Sequence, residues 1–172
     1  MNTNYEKIKA DLLAFGKKNG ACVEQYRRLY NAESIEEVIA VVKDNFGWCA
    51  KYRDFADVIM ANREQFAEHL IWANQNVEIQ EGVGYLLATE GEINATSWGT
   101  STINATSCDI STINATSCDT STINATSYDT STMIIRSSTI ECKVNNQSIA
   151  RYVYENRIVV ADNSIKIEKV KE

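Results

Sequence analysis

The chain has no proline, only seven glycines and a single histidine in 172 residues. Each shortage removes a class of reading. Gly99 is the last glycine, so the C-terminal half cannot build the glycine-rich turns that let several carbonyls face one calcium ion. His69 has no Cys, Ser or Asp neighbour in sequence with which to form a nucleophilic or zinc centre. Residues 93–132 contain no Lys or Arg, whereas nucleic-acid binding requires cations that neutralise phosphates. No apolar run is long enough to cross a bilayer, and none follows Met1 as a secretory signal would. The expectation is therefore a cytoplasmic protein without a membrane segment.

Chemistry is sparse as well. There is no phosphate loop, dinucleotide fingerprint or zinc spacing, and no paired-carboxylate signature. The five cysteines (Cys22, Cys49, Cys108, Cys118, Cys142) are odd in number. They lack metal-site spacing and have no nearby activating base, so reduced thiols are expected rather than disulfides or a nucleophile. No cofactor, metal or catalytic residue is assigned, and an enzyme is not expected. The formal net charge of −6 leaves room for a basic protein partner.

What is present in abundance is repetition. Residues 93–132 read INATSWGTST, INATSCDIST, INATSCDTST and INATSYDTST, four tandem copies of a ten-residue unit. A short fixed period marks a fold in which each unit stacks on its neighbours. Thr and Ile favour strands because their branched Cβ suits a pleated surface. Asn, Asp, Ser and Thr rank low inside helices. Side chains alternate across a strand, so Ser111, Ile113, Ala115 and Ser117 share one face and Thr112, Asn114 and Thr116 the other. The first set is small and mostly apolar and is placed inside. The Cys118-Asp119-Thr120 part is the corner, since Asp favours turns.

Ten residues are too few for two strands and two corners, because a strand consumes one residue per ~3.3 Å. Two units per coil are expected, so the repeat gives two coils. Asn94 then stacks on Asn114, Asn104 on Asn124, Trp98 on Cys118 and Cys108 on Tyr128. One unit per coil would instead put Cys108 beside Cys118, close enough to cross-link.

Cut in fives, the same run reads STINA, TSCDT, STINA, TSYDT. It then resembles the pentapeptide-repeat family, with central residues Ile103, Cys108, Ile113, Cys118, Ile123 and Tyr128 in place of that family's Leu or Phe. The resemblance implies a square right-handed β-helix, and that family includes acidic mimics of DNA. Whether the coil is a two-sided roll or a square stays open at this point.

The first 76 residues read as a small helical bundle. Tyr5, Ile8, Leu12 and Phe15 fall at helical spacing before a stop at Gly20. A second helix covers Cys22 to Tyr30, burying Tyr26 and Leu29. Ser34 with Glu37 forms a capping box ahead of Ile35, Val38, Ile39 and Val42, and a break falls at Asp44-Asn45. Phe55, Val58 and Ile59, then Phe66, Leu70 and Trp72, are assigned to one or two further helices, with His69 inside them. Gly20-Ala21-Cys22, a Glu-rich helix and Gly47-Trp48 together resemble a helical module of uncharacterised bacterial and phage proteins, which precedes tandem repeats of the form Ala-Thr-Val-x-Ala-Tyr. Ser111 to Ala115 is the counterpart here. The resemblance implies no activity. Arg27 and Arg28 are isolated among acids, which disfavours a DNA-reading helix.

The expected architecture is α+β: a helical module over 1–76, then a short parallel β-helix over 77–172 with about two ten-residue units per coil and a C-terminal β cap. Val77, Ile79 and Tyr85-Leu86-Leu87 supply an irregular first coil. Met133 and Ile135 continue the inward series. Tyr152-Val153-Tyr154, a turn at Glu155-Asn156-Arg157, and Ile158-Val159-Val160 close it as a hairpin, followed by a last strand over Ile165 to Glu168. Exposed solenoid ends need caps or partners, so a homodimer is one expected assembly. The expected function is a non-enzymatic binding or scaffold protein with a protein partner or self-association, acting through Thr102, Asn104, Thr106, Thr112, Asn114, Thr116, Thr122, Asn124 and Thr126. Two alternatives stand beside it. One is an acidic DNA mimic that binds a DNA-handling enzyme. The other is an ice- or lattice-binding array built on Thr100-x-Thr102, Thr120-x-Thr122 and Thr130-x-Thr132.

Overall fold

A computed structural model describes residues 3–136, 142–144 and 148–160. The chain forms two compact units that meet in sequence between Ala73 and Asn74.

The first unit is helical. Helix α1 (Thr3–Lys18) buries Ile8, Leu12 and Phe15 at helical spacing. It ends where Gly20 takes a φ of +73° and the Ala21 N–H reaches the Gly16 carbonyl at 2.8 Å. That six-to-one bond, with glycine in the left-handed position, is a Schellman stop. Helix α2 (Val23–Asn31) buries Leu29, while Tyr26 is only half-buried. Helix α3 (Ile35–Asp44) is capped by Ser34, whose Oγ accepts from the Glu37 N–H at 3.2 Å. Glu37 reaches back one residue further than a standard capping box, to the Glu33 N–H at 2.7 Å. The α3 core face is Val38, Ile39, Val41 and Val42.

Helix α4 (Phe46–Cys49) and helix α5 (Arg53–Ala61) bring an aromatic cluster onto α1. Phe15 lies 5.3 Å from Phe55 and 5.7 Å from Trp48, and Phe46 lies 6.0 Å from Phe55, centroid to centroid. Most of these contacts are edge-on, the arrangement that the ring quadrupole favours. Helix α6 (Arg63–Glu68) adds Phe66, which is fully buried. Between α5 and α6, Asn62 is buried and fully used: its Nδ2 donates to Asp11 at 3.0 Å and to the Val58 carbonyl at 2.9 Å, and its Oδ1 accepts from Lys7 at 2.9 Å.

The helical assignment of Leu70 and Trp72 is corrected here. His69 is the C-cap of α6 rather than a helix interior. Leu70 sits at φ +60°, which a helix cannot continue through, and Trp72 belongs to strand β1 (Ile71–Ala73). Leu70 follows Phe66 at i+4 and so imitates the helical spacing.

The second unit is a flattened parallel β-solenoid. Its strands are β2 (Val77–Ile79), β3 (Val83–Ala88), β4 (Glu92–Ser97), β5 (Thr102–Ser107), β6 (Thr112–Ser117), β7 (Thr122–Ser127), β8 (Thr132–Ile135), β9 (Cys142–Val144), β10 (Ile149–Tyr152) and β11 (Arg157–Val160). Even-numbered strands from β2 to β10 lie side by side in one sheet, and β3, β5, β7 and β9 in the other. Successive coils contribute one strand to each sheet, giving four coils from β2 to β9. The repeat supplies the two middle ones.

Register confirms two units per coil: Asn94 pairs with Asn114 and Asn104 with Asn124, both parallel. Cys108 and Cys118 therefore fall in different stacks, and no disulfide joins them. Within the repeat, turns close around 98–101, 108–111, 118–121 and 128–131, and Ile-Asn-Ala lies mid-strand. The coil thus has two sides rather than four, which settles the roll against the square.

The inward rows are as the alternation requires. Ile93, Ile113 and Met133 stack in one sheet, Ile103 and Ile123 in the other, each buried. Burial of each such side chain contributes roughly 1.5–3 kcal/mol. The alanines at 95, 105, 115 and 125 are buried beside them, small enough to let the two sheets close.

The corners rest on serine and on left-handed residues. Asp109, Asp119 and Asp129 have φ of 53°, 58° and 55°, and Gly99 occupies the same repeat position at 59°. Asp and Gly tolerate this region far better than branched residues. Each turn is closed from i+3 to i, as in Ser111 N–H to the Cys108 carbonyl at 3.1 Å. The inward serines satisfy polar groups that would be costly if buried unpaired. Ser111 Oγ lies 2.8 Å from the Cys108 carbonyl, 2.9 Å from the Ala88 carbonyl and 2.8 Å from Ser107 Oγ. Ser131 repeats the pattern with Tyr128, Ser107 and Ser127, and Ser148 extends the row to the Ser127 carbonyl at 2.9 Å.

Strand β11 folds back antiparallel on β10 and closes that end of the sheet. The turn comes earlier than expected, over 153–156, with Asn156 at φ +50°. Val153 and Tyr154 are thus turn residues rather than strand. Arg157 lies over the Tyr152 ring at 3.9 Å, a cation–π contact. The strand expected over Ile165 to Glu168, and the side chain of Cys142, lie outside the described residues.

Candidate interaction faces of the solenoid

Side chains that point out of the two sheets form two separate faces. On the β5–β7 side the rows are Thr102–Thr122, Asn104–Asn124 and Thr106–Thr126. On the β4–β6 side they are Glu92–Thr112, Asn94–Asn114 and Thr96–Thr116. The nine residues expected to form one surface are therefore divided. Thr102, Asn104, Thr106, Thr122, Asn124 and Thr126 belong to the first face, and Thr112, Asn114 and Thr116 to the second. The reason is the coil length: with two units per coil, alternate copies of the same strand look in opposite directions.

Exposure separates them further. Thr122 and Asn124 are exposed, and Thr102, Asn104, Thr112, Thr116 and Thr126 are half-buried. Thr106 is only 6% exposed and Asn114 only 7%, so neither presents a free surface. Asn114 Nδ2 donates to Glu92 at 2.6 Å and to Asn94 Oδ1 at 3.2 Å, and Arg136 donates to Asn114 Oδ1 at 3.1 Å. This cluster was not anticipated. Its signal in the sequence is faint: Glu92 stands where the later copies have Thr, and Arg136 is the first cation after the repeat.

On the opposite face the asparagine row is simpler. Asn124 Nδ2 donates to Asn104 Oδ1 at 2.9 Å. Such a bond along the stack fixes both side chains in one rotamer and leaves their remaining polar atoms pointing outward at a spacing near 4.8 Å. This face is regular, neutral and uncharged at its centre.

The edges are less regular. Asp109 and Asp129 lie in one edge stack, while Asp119 stacks with Gly99 on the other. Thr120 Oγ1 donates to the Gly99 carbonyl at 2.9 Å, and Thr130 Oγ1 to the Asp109 carbonyl at 2.8 Å. These corner threonines tie coil to coil. Ile110, which takes the corner threonine's place in the second copy, is 79% exposed and interrupts the hydroxyl pattern.

Among the described residues no three His, Cys, Asp or Glu side chains come together as a metal set. Among the same residues no helix is long and apolar enough to cross a membrane. Comparison of the chain with protein-family models, with curated proteins and with solved structures gives no match in any of the three.

Proposed function

We propose that the protein is a non-enzymatic binding or scaffold protein that uses the outer face of β5 and β7 to hold a protein partner or a second copy of itself. The observation that supports this reading is the row of Asn104 and Asn124, bonded to each other and flanked by Thr102, Thr122 and Thr126. Behind it lies a core of fully buried isoleucines. A rigid, neutral, hydrogen-bonding plane binds with little ordering cost, because its side chains are already fixed.

The test is capture of the partner by the whole chain against a Thr122→Glu, Asn124→Glu double variant. These positions are exposed, so the variant keeps the fold. Loss of a specific partner, or of self-association in sedimentation, supports the reading. Equal capture by both proteins overturns it.

The DNA-mimic alternative needs a continuous acidic stripe. The aspartates are instead shared between two edges, with Gly99 in one of the positions, which weighs against it. Recovery of a DNA-handling enzyme that is lost on replacing Asp109, Asp119 and Asp129 by Asn would restore that alternative. The lattice alternative is weakened by Ile110 and by the hydroxyls of Thr120 and Thr130, which are spent on carbonyls of the neighbouring coil. Thermal hysteresis of the pure protein is its direct measurement.

A further inference from the structure

The helical module leaves a partly open cleft of about 220 Å³ between α1, α2, α3 and α4. Leu12 and Phe15 from α1, Leu29 from α2, Val42 from α3 and Trp48 from α4 form its walls. Exposed Cys22, in the link between α1 and α2, stands at its rim. Protein interiors are normally packed to the density of organic crystals, and a hollow forfeits the dispersion contacts its lining would otherwise make. The lining here is also small: Gly16 and Ala21 face each other, and a Cβ on Gly16 would meet Ala21 Cβ at 3.4 Å and the Tyr26 ring at 3.5 Å. These are ordinary contacts, so glycine at this point leaves out a methyl group that would fit.

We propose that this cleft is a binding site for one small, uncharged aromatic molecule, a substituted ring of about the size of indole or naphthalene. Size comes from the volume, since an apolar cavity of roughly 150 Å³ accepts benzene. Aromatic character comes from the walls. Phe15 and Trp48 meet at 70° with centroids 5.7 Å apart, and offer a ring both an edge and a face. Neutrality comes from the absence of any Asp, Glu, Lys, Arg or His among the lining residues, because a buried charge without a partner is strongly disfavoured. Burial also pushes the Cys49 thiol up to about 12, which keeps this part of the wall uncharged at neutral pH. One polar substituent can be matched. Asn45 spends both amide protons, on Gln25 Oε1 at 3.1 Å and on the Val41 carbonyl at 2.8 Å. Its Oδ1 and the Gln25 amide protons are polar functions that a ligand substituent can meet. The proposal rests on the helical module alone and is independent of the solenoid reading.

The experiment titrates the full chain with 1-naphthylamine, a neutral two-ring probe of the proposed size, and follows its fluorescence. A saturable rise with one site per chain, reversed by excess indole, is expected. Ala21→Phe places a ring in the cleft and should weaken binding at least tenfold, with an unchanged far-ultraviolet circular dichroism spectrum. A second measurement uses the native chain: alkylation of Cys22 by iodoacetamide, read by peptide mass spectrometry, should slow several-fold at saturating probe. Should Ala21→Phe fail to fold, this protection decides the matter. A rise that does not saturate, an Ala21→Phe variant that binds as well as the native chain, or Cys22 alkylation that ignores the probe would overturn the proposal.

Discussion

The two units solve the same packing problem with opposite means. In the helical module each core residue is one of a kind. Phe55 meets both Phe15 and Phe46, and Asn62 joins Lys7, Asp11 and Val58. In the solenoid each core residue is a copy: Ile113 lies between Ile93 and Met133, and the serine pattern at one corner recurs at the next. A core of unique contacts concentrates stability in a few positions, whereas a stack distributes it over nearest-neighbour terms.

This difference is open to measurement by truncation. Phe55→Ala should cost about 3–5 kcal/mol, the range for large aromatics in cores, and should deprotect α1, α4 and α5 together in hydrogen exchange. In the solenoid, Ile103→Val, Ile113→Val and Ile123→Val should each cost about 0.5–1.5 kcal/mol, with near-equal values. Urea unfolding of the variants gives the numbers. Widely unequal costs for the three isoleucines would contradict the picture of a repeated core.

Within the solenoid, the two faces can be compared through their asparagines. Asn114→Ala removes a buried amide that serves Glu92, Asn94 and Arg136, and should cost about 1–3 kcal/mol because their polar groups lose a partner out of water. Asn124→Ala removes one exposed bond, to Asn104, and should cost about 0.5 kcal/mol or less, as exposed substitutions do. Reversal of this order, read from the shift in urea midpoint, would mean that Asn114 is a passive neighbour of an Arg136–Glu92 pair.

The corners give a smaller effect. Asp119→Val places a branched residue at φ 58°, at a cost of about 1–2 kcal/mol. Asp119→Gly should be tolerated, since Gly99 already fills the equivalent position. The pair of variants separates backbone conformation from charge. If both destabilise equally, the carboxylate rather than the dihedral angle holds the corner.

How much of this was readable beforehand follows from the same contrast. The inward isoleucines, the pairing of Asn94 with Asn114 and the positions of the corners were legible, because alternation and coil length are local arithmetic repeated four times. The division of the nine candidate residues between two faces followed from that arithmetic too, but only once a whole coil was traced in space. Burial of Asn114 was not legible. Glu92 and Arg136 are each 22 residues away in sequence, and neither belongs to the repeat pattern. In the helical module, Leu70 and Trp72 misled because hydrophobic spacing cannot register a left-handed residue. The aromatic cleft was invisible for a similar reason: its lining is gathered from four helices, and no single stretch carries its signature.

Acid is the mildest probe of the comparison, and it acts on the helical module through two carboxylates. Asp11 is held below the usual carboxylate value by hydrogen bonds from Asn62 and Lys7. For Asp54, burial is the largest influence and pushes upward, but the hydrogen bonds from Lys18 and Asn19, together with the Lys18 charge, outweigh it, and the net direction is again down. A carboxylate with a lowered folded value stabilises the fold fully above its unfolded value, near 3.9, and loses that contribution as pH falls through the lowered value. Stability of the module should therefore be flat from about pH 7 to 5 and decline as acid approaches and passes about pH 4. The decline should be shallow, because both side chains are partly exposed and such ion pairs are weak. A double variant, Asp11→Asn with Asp54→Asn, should be less stable at neutral pH and show a flatter acid limb. Urea midpoints between pH 7 and 2, with hydrogen exchange to assign the loss to α1 and α5, make the measurement. An acid limb of unchanged slope in the double variant would place the titrating groups elsewhere in the chain.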